Sequence, residues 1–176
     1  MSTLFPYTTL FRSSKSREMD SLQATATPEA IARAAKDAGV ESVAFTYNDP
    51  VIFMEYAMDV ADACHALGIH TVAVTAGYMH DAPRRAFYGP SPGGGPGKID
   101  AANVDLKAYA DDFYRKITGA RLEPVKDTLR YLVRETKVWT EITTLLIPGL
   151  NDLDAEIGEL SEFVAGELAP DVPLHF

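Results

Sequence analysis

The chain has 176 residues, 47% of them hydrophobic and 23% charged, which is typical of a folded domain with one sizeable core. The formal net charge of −9, from 25 acidic and 16 basic residues, disfavours binding to nucleic acid or to anionic membrane surfaces. The single cysteine, Cys64, excludes an internal disulfide, and no apolar run approaches the roughly 20 residues that cross a bilayer. We therefore expect a cytoplasmic protein.

The first thirteen residues differ in character from the rest of the chain. Residues 3–13, TLFPYTTLFRS, match the translation of a widely used sequencing adapter and show neither helical nor strand periodicity. A disordered native leader is the alternative, because chain termini are often poorly ordered. We expect residues 1–13 to be a leader outside the fold, residues 14–176 to form the core domain, and native residues to be missing before Ser14.

Helical and strand patterns alternate from Thr27 onward. Thr27 is a helix cap with Pro28 at the first helical position, and Gly39 ends that helix. Residues 89–97, GPSPGGGPG, predict a flexible surface loop. The remaining elements are predicted as strand 42–46, helix 50–67, strand 71–75, helix 82–88, strand 103–107, helix 125–135, strand 138–146, a helix through residues 157–168 and a strand from residue 172. This alternation predicts an α/β fold with parallel strands, either a barrel or a doubly wound sheet.

Ligands of parallel α/β folds bind beyond the carboxyl ends of the strands, and four predicted strand ends carry distinctive residues. Asp105 and Lys107 stand two apart, so both side chains point to the same side of their strand. Burial of such a pair costs several kcal/mol unless the pair or a ligand compensates it, which favours a functional role. Helix capping and turn formation are equally good explanations of the other three ends, residues 46–50, 75–78 and 146–152.

The four histidines do not predict a metal site. His65 and His70 flank a helix end and His80 follows a turn, and no pair of histidines has the spacing of a local metal site. His175 lies in the last predicted strand, from which its side chain can reach a barrel interior.

Five segments, taken in order, resemble the radical S-adenosylmethionine (SAM) superfamily. They are AFTYNDP (44–50), VTAGYM (74–79), NVDLKAY (103–109), FYRKITGA (113–120) and TTLLIPGLND (143–152). The likeness is strongest to the AmmeMemoRadiSam-system radical SAM proteins, relatives of the pyruvate formate-lyase activating enzymes. It covers nearly all of the chain from Lys15 to Phe176 except the Gly/Pro loop, and it rests on the order and spacing of the segments together.

The resemblance implies a partial (β/α) barrel that holds a four-iron, four-sulfur cluster on a CxxxCxxC loop after its first strand. It also implies S-adenosylmethionine as cofactor, reductive cleavage of that cofactor to a 5′-deoxyadenosyl radical, and hydrogen abstraction from a small-molecule or protein substrate. An electron donor such as flavodoxin or ferredoxin would reduce the cluster. The protein's own task is to hold cofactor and target atom in register and to exclude water.

The resemblance implies roles in cofactor binding and catalysis for individual residues of this sequence. The segment Thr46, Tyr47, Asn48 and Asp49 would contact the methionine amino group, and Thr75 and Gly77 would flank the cofactor. Asp105 and Lys107 match the acidic-x-Lys pattern of the activating enzymes, at the methionine end of the cofactor or at a bound cation, and are the residues we expect to be catalytic. Residues 147–149, with Pro148 and Gly149, would line the adenosine side, and His175 would enter from the last strand.

The sequence departs from the family at the cluster loop. No CxxxCxxC motif is present, and a cluster of this type needs three cysteine ligands. In the family a stretch like residues 14–18 follows soon after that loop, where the adapter-like residues now stand. We therefore expect a barrel without its first strand and C-terminal part, and a chain that is inactive in the radical reaction.

Two alternatives use the same residues differently. In an aldolase-like barrel lyase, Lys107 at a strand end would form a Schiff base with a carbonyl substrate and need no iron. In a non-catalytic domain, the same edge would bind S-adenosylmethionine or a partner without chemistry.

Overall fold

The computed structural model describes residues 26–91, 95 and 97–176, so the proposed leader, residues 1–13, lies outside the described residues. The strands are β1 Ser42–Phe45, β2 His70–Thr75, β3 Ala101–Asp105, β4 Trp139–Thr143 and β5 Leu174–His175. The helices are α1 Pro28–Asp37, α2 Met54–Ala66, α3 Asp81–Tyr88, α4 Asp111–Phe113, α5 Leu122–Glu135 and α6 Asp154–Glu162. A 3-10 turn, Pro50–Phe53, precedes α2, and π-helical turns continue α4 over Tyr114–Thr118 and α6 over Phe163–Leu168.

Helix boundaries follow from capping residues that the sequence displays. The Thr27 hydroxyl accepts a hydrogen bond from the Ala30 N–H (3.2 Å), which satisfies one of the free amides of the first turn of α1. Gly39 and Gly68, just after α1 and α2, have φ of +68° and +70°, a conformation that glycine adopts without a Cβ penalty. The predicted first cap and both glycine ends are therefore confirmed.

All five strands are parallel and lie in the sheet in sequence order, β1-β2-β3-β4-β5. A doubly wound sheet reverses its strand order part-way, whereas a barrel keeps it, because successive right-handed crossovers then lie on one face. The order therefore excludes the doubly wound alternative, and the architecture is the partial (β/α) barrel that the sequence predicts.

The two faces of the sheet differ in chemistry. On the covered face, the side chains of Ala73, Val104 and Ile142 are fully buried in one core with helix residues such as Val60 and Leu129. The opposite face, which would be the barrel interior, is less buried and mostly polar. Its residues include Asn103, Asp105, Glu141, Thr143 and His175.

Several predicted boundaries need correction, among them those of β3, β4 and α5. β3 ends at Asp105 and not at residue 107, because the Leu106 N–H, which still donates to Thr143 O of β4 (3.0 Å), also donates to Val104 O (3.1 Å) in a tight turn that takes the chain out of the ladder. β4 ends at Thr143, well before the predicted end at residue 146. Helix α5 begins three residues earlier than predicted, at Leu122, whose N–H donates to the Asp111 carboxylate (3.0 Å).

Helix α4 and its π-helical turn were not predicted at all. The helix is short and lacks a side-chain cap, so it gives little sequence signal. The segment ends at Gly119, with φ of +72°. Among the described residues, no helix combines the length and the apolar character that a bilayer crossing requires.

Candidate functional site at the carboxyl edge of the sheet

The loop after β1 begins with a strained turn at Tyr47. The Asn48 N–H donates to Thr46 O (3.1 Å), and Tyr47 between them has φ of +70°, as in a γ-turn. This left-handed conformation costs a residue with a side chain about 1 kcal/mol or more. The Tyr47 side chain is 78% exposed, so the turn presents the tyrosine at the edge of the sheet.

Asp49 ties the loop after β1 to the loop after β2. One carboxylate oxygen accepts from the Val51 N–H (3.1 Å) and from the Thr75 hydroxyl (2.9 Å), and the other accepts from the Ala76 N–H (2.8 Å). Three donors therefore already surround this carboxylate. Asp49 acts here as a clamp between two loops, in addition to capping the 3-10 turn.

The loop after β2 is shaped by the core beneath it. The Thr75 hydroxyl, which donates to Asp49, also accepts from the Gly77 N–H (3.0 Å). Gly77 has φ of +65°, and a Cβ there would lie 2.9 Å from Val104 Cγ1. The structure thus requires glycine at position 77 for backbone conformation and for packing against the core.

The buried Tyr88 ring reaches toward the same clamp from α3. Burial raises the pKa of Tyr88 far above its usual value, and the Asp49 carboxylate raises it further. Its hydroxyl makes no hydrogen bond within the part of the chain that the structure describes, although it lies close to Thr75. Tyr88 was not singled out in the sequence, because a buried tyrosine in a helix is ordinary.

Asp105 and Lys107 form an ion pair at the end of β3. Lys107 Nζ lies 2.8 Å from Asp105 Oδ2, and the two side chains are 40% and 39% exposed. The two charges therefore meet on one side of the chain, although Lys107 lies beyond the end of β3 and not in the strand as predicted. The pair is accessible at the carboxyl edge and is not sealed in the core.

Three side chains that the sequence reading did not single out hold the loops beside this pair. Tyr114 and Asn151 bond to the main chain of Lys107. One Glu156 carboxylate oxygen accepts from the N–H groups of Tyr109 (2.8 Å) and Ala110 (3.1 Å). Asn151 belongs to the segment TTLLIPGLND, which resembles the superfamily. Its position in the sequence does not indicate that it contacts the segment after β3.

The loop after β4 places Pro148 and Gly149 in exposed positions. Gly149 has φ of +76°, and its N–H donates to the Asp152 carboxylate (2.8 Å). These contacts form a turn of the kind that a Pro-Gly sequence favours. The turn leaves the Gly149 backbone open at the edge of the sheet.

His175 lies in β5 beside Thr143 and is 54% exposed. Its Nε2 lies 3.1 Å from Glu141 Oε2, and the other Glu141 oxygen accepts from the Trp139 indole N–H (3.1 Å). His175 thus points to the polar face of the sheet, below the edge that carries Lys107. His65, by contrast, lies 2.8 Å from Asp100, near the amino ends of the strands.

Comparison with known proteins identifies the family. The family model of the radical SAM superfamily matches residues 11–163 of this chain. The chain belongs to the radical SAM superfamily. It is 33% identical over 150 residues to an uncharacterized protein of Methanocaldococcus jannaschii, covering 85% of this chain and 41% of that protein. It is 27% identical over 123 residues to a pyruvate formate-lyase-activating enzyme of Clostridium pasteurianum, covering 69% of this chain and 47% of that protein.

A solved structure supports the fold of this radical SAM chain. A domain of a pyruvate-formate lyase-activating enzyme from Bacteroides vulgatus superposes with a TM-score of 0.62 and 19% identity, covering 74% of each chain. The match confirms the partial barrel. The chain spans less than half the length of the two curated relatives it matches.

The iron–sulfur cluster of radical SAM proteins does not fit the residues of this chain. Such a cluster needs three cysteine thiolates, and the sequence holds one cysteine. That residue, Cys64, is fully buried in α2 under the covered face of the sheet, where burial raises the pKa of its thiol. No group of three or more His, Cys, Asp or Glu side chains in the described ranges is placed to hold a metal ion.

Proposed function

We propose that this chain binds S-adenosylmethionine at the carboxyl edge of its sheet, with the methionine end of the cofactor at Asp105 and Lys107. The observation that carries the proposal is the half-exposed ion pair, whose Nζ and Oδ2 atoms lie 2.8 Å apart. The amino-acid end of the cofactor is a zwitterion, with an ammonium group and a carboxylate close together. A lysine and an aspartate side by side are complementary to both charges.

The neighbouring loops supply the remaining proposed contacts. Asn48 is half-buried beside the Tyr47 turn and is better placed than Asp49 for the amino group, because the Asp49 carboxylate already holds three donors. Thr75 and Gly77 fix the shape of the next loop. The exposed backbone at Pro148 and Gly149 would face the adenosine. Thr46 and His175 complete the proposed set of contacts.

The reductive cleavage that defines the radical SAM superfamily needs thiolate ligands beyond the one cysteine of this chain. We therefore expect the 176-residue chain by itself to bind S-adenosylmethionine without cleaving it. A protein that supplies the missing thiolates would need, in addition, an electron donor such as flavodoxin or ferredoxin. Its substrate would be a small molecule or, as the likeness to an activating enzyme suggests, another protein.

The geometry does not favour a Schiff base at Lys107. A lysine that attacks a carbonyl is activated by desolvation in an apolar pocket or by a neighbouring cation. Lys107 is instead 40% exposed and paired with a carboxylate. Trapping with borohydride and a panel of carbonyl compounds is expected to leave Lys107 unmodified.

Titration calorimetry with S-adenosylmethionine tests the proposal. We expect saturable binding to the wild-type chain and at least about tenfold weaker binding to Lys107→Met and Asp105→Asn, since each removes one charge of the pair. Lys116→Met is the matched control, because Lys116 also pairs with an aspartate at 2.8 Å, but on the exposed surface of the turn after α4. This control is expected to bind as the wild type does.

The decarboxylated analogue of S-adenosylmethionine sharpens the test. If Lys107 binds the carboxylate, wild type prefers the complete cofactor, and Lys107→Met loses most of that preference. Absence of saturable binding to the wild-type chain would overturn the proposal. Equal affinities of Lys107→Met and Lys116→Met would overturn the assignment of the methionine end.

A further inference from the structure

The main chain of Lys107 is held by side chains and not by the sheet. Lys107 lies two residues beyond the end of β3. Its N–H donates to the Tyr114 hydroxyl (3.0 Å), and its carbonyl accepts from Asn151 Nδ2 (2.7 Å). Both backbone groups of this one residue therefore depend on two side chains from separate parts of the chain.

Both partners are buried, which makes their geometry restrictive. Tyr114 and Asn151 are each 2% exposed. Burial raises the pKa of Tyr114 to about 12, so the side chain is a neutral hydroxyl in the physiological range. A buried polar group that loses its partner costs roughly 1–3 kcal/mol, so displacement of the Lys107 main chain away from these two side chains is unfavourable.

Asn151 also fixes the neighbouring loop. Its Nδ2 donates to Leu145 O (3.0 Å) as well as to Lys107 O, and its Oδ1 accepts from the Ile147 N–H (2.6 Å). One amide group thus locks the end of β3 to the loop after β4. The two loops joined in this way carry Lys107 on one side and the Pro148-Gly149 turn on the other.

We propose that Tyr114 and Asn151 are positioning residues that set the main chain of Lys107 and thereby place its ammonium group beside Asp105. This inference rests on the proposed function, because the benefit of the placement is recognition of S-adenosylmethionine. Neither residue touches the cofactor in this scheme. Their influence on binding passes through Lys107, since a displaced main chain moves the attached ammonium group.

Two near-isosteric variants remove the contacts to Lys107. Tyr114→Phe removes only the hydroxyl that accepts the Lys107 N–H. Asn151→Asp keeps the oxygen that accepts from Ile147 but replaces the donor to Lys107 O and Leu145 O with a second acceptor. Thr140→Val is the matched control, because Thr140 is also buried and its hydroxyl donates to Val138 O (3.0 Å) at the start of β4, away from Lys107.

The first measurement is calorimetric affinity for S-adenosylmethionine together with the unfolding midpoint of each variant. All three substitutions are expected to lower the midpoint, because each breaks a buried hydrogen bond. Only Tyr114→Phe and Asn151→Asp are expected to weaken binding, by about tenfold, whereas Thr140→Val stays within about twofold of wild type. A loss of affinity that follows the loss of stability in all three variants would overturn positioning.

A double-mutant cycle shows whether the effect passes through Lys107. In the Lys107→Ala background, Tyr114→Phe is expected to cause no further loss of affinity, because the group that it positions is gone. Independent, additive losses would overturn the inference. If instead the wild-type chain fails to bind S-adenosylmethionine at all, the proposed function fails. The positioning of Lys107 by Tyr114 and Asn151 is then tested by a measurement that needs no ligand.

The ligand-free readout is the NMR signal of the Asp105 carboxyl carbon. Lys107→Ala removes the ammonium group next to that carbon and defines the shift expected when the pair is broken. Tyr114→Phe and Asn151→Asp are expected to move the signal in the same direction, and Thr140→Val to leave it in place. An Asp105 signal that stays unchanged in Tyr114→Phe would overturn the inference.

Discussion

The two edges of the sheet are both polar, but they use their polar groups differently. At the carboxyl edge, side chains reach from one loop to the main chain of the next. Asp49 spans the loops after β1 and β2, and Asn151 joins the end of β3 to the loop after β4. This arrangement fixes the backbone and leaves the Asp105 and Lys107 side chains paired with each other and accessible.

At the amino edge, the polar groups lie in a cluster around Asp100. One Asp100 oxygen accepts from the Thr71 N–H (2.8 Å) and lies 2.8 Å from His65 Nε2. The Thr71 hydroxyl donates to Lys98 O (2.6 Å), and the Lys98 ammonium pairs with Asp62 (2.6 Å). The cluster anchors the start of β2 to the segment that leads into β3.

The comparison separates groups that build the fold from groups that are available to a ligand. Substitutions in the amino-edge cluster should change stability alone. Substitutions at the carboxyl edge should split into two kinds: the Asp49 clamp changes stability, whereas the Asp105–Lys107 pair and the residues that position it change binding.

The largest effect on stability is expected at Gly77. Gly77→Ala places a methyl group 2.9 Å from Val104 Cγ1 at a residue with φ of +65°. The backbone penalty and the overpacking together should lower the free energy of unfolding by about 3 kcal/mol. Gly119→Ala isolates the backbone term, because φ is +72° there and the described structure has no atom within 4 Å of the added carbon.

Chemical denaturation of both glycine variants measures the difference. Gly119→Ala is expected to cost only about 1 kcal/mol. If the two variants were equally destabilised, packing against Val104 would contribute nothing, and Gly77 could no longer be described as fixed by the core.

A smaller loss is expected when the Asp49 clamp is weakened. Asp49→Asn retains one acceptor oxygen but turns a donor toward the Ala76 N–H, which is left without its present partner. We expect a loss of about 2 kcal/mol in the free energy of unfolding. Asp152→Asn is the control, since its carboxylate accepts a single bond, from the Gly149 N–H in an exposed turn. Equal losses in the two variants would show that Asp49 does not join the loops.

The alternation of helices and strands is predicted well from the sequence, because the residues that mark the ends of these elements act locally. Thr27, Pro28 and Gly39 bound a helix by their own backbone chemistry, and the structure uses them in that way. The pairing of Asp105 with Lys107, by contrast, does not follow from strand geometry alone, because β3 ends at Asp105 and side chains of other segments hold the Lys107 main chain. Strand ends are predicted less well, because β3 ends in a tight turn from Val104 to Leu106 that neither glycine nor proline marks in the sequence.

The clamps of the site could not be predicted from local signals. Asn151 is 44 residues away from Lys107 in sequence, and nothing in the segment around it distinguishes a turn residue from a link between strands. Tyr114 lies in the short helical segment that the patterns did not reveal. Asp49 was expected to cap a helix or to contact a ligand, and its bonds to Thr75 and Ala76 depend on the pairing of β1 with β2.

At the amino edge, the contribution of Asp100 to stability should depend on pH. Burial alone would raise the pKa of Asp100, but hydrogen bonds from Thr71 and His65 hold it below its usual value. A carboxyl group with a lowered folded-state pKa stabilises the fold above its unfolded pKa, near 4, and loses that contribution as the pH falls through the folded value. Asp100→Asn should therefore cost about 1.5 kcal/mol at neutral pH.

Urea unfolding of wild type and Asp100→Asn between pH 6 and pH 3 measures this contribution. The difference between the two proteins is expected to shrink below about pH 4, since the wild-type carboxylate becomes protonated there. Asp112→Asn is the control, because Asp112 and its partner Lys116 are both largely exposed and such pairs contribute little. A pH-independent difference for Asp100→Asn would contradict the role of its charge.

The smallest expected effect distinguishes two buried tyrosines at the carboxyl edge. The Tyr114 hydroxyl accepts the Lys107 N–H, whereas the Tyr88 hydroxyl makes no hydrogen bond among the described residues. Removal of a partner leaves a buried donor unsatisfied, but removal of an unpaired hydroxyl does not. Tyr114→Phe should cost about 1 kcal/mol, and Tyr88→Phe should change stability by less than about 0.5 kcal/mol in either direction. A large loss in Tyr88→Phe, measured by chemical denaturation, would show that this hydroxyl supports the Asp49 clamp, and the clamp would then extend from two loops into helix α3.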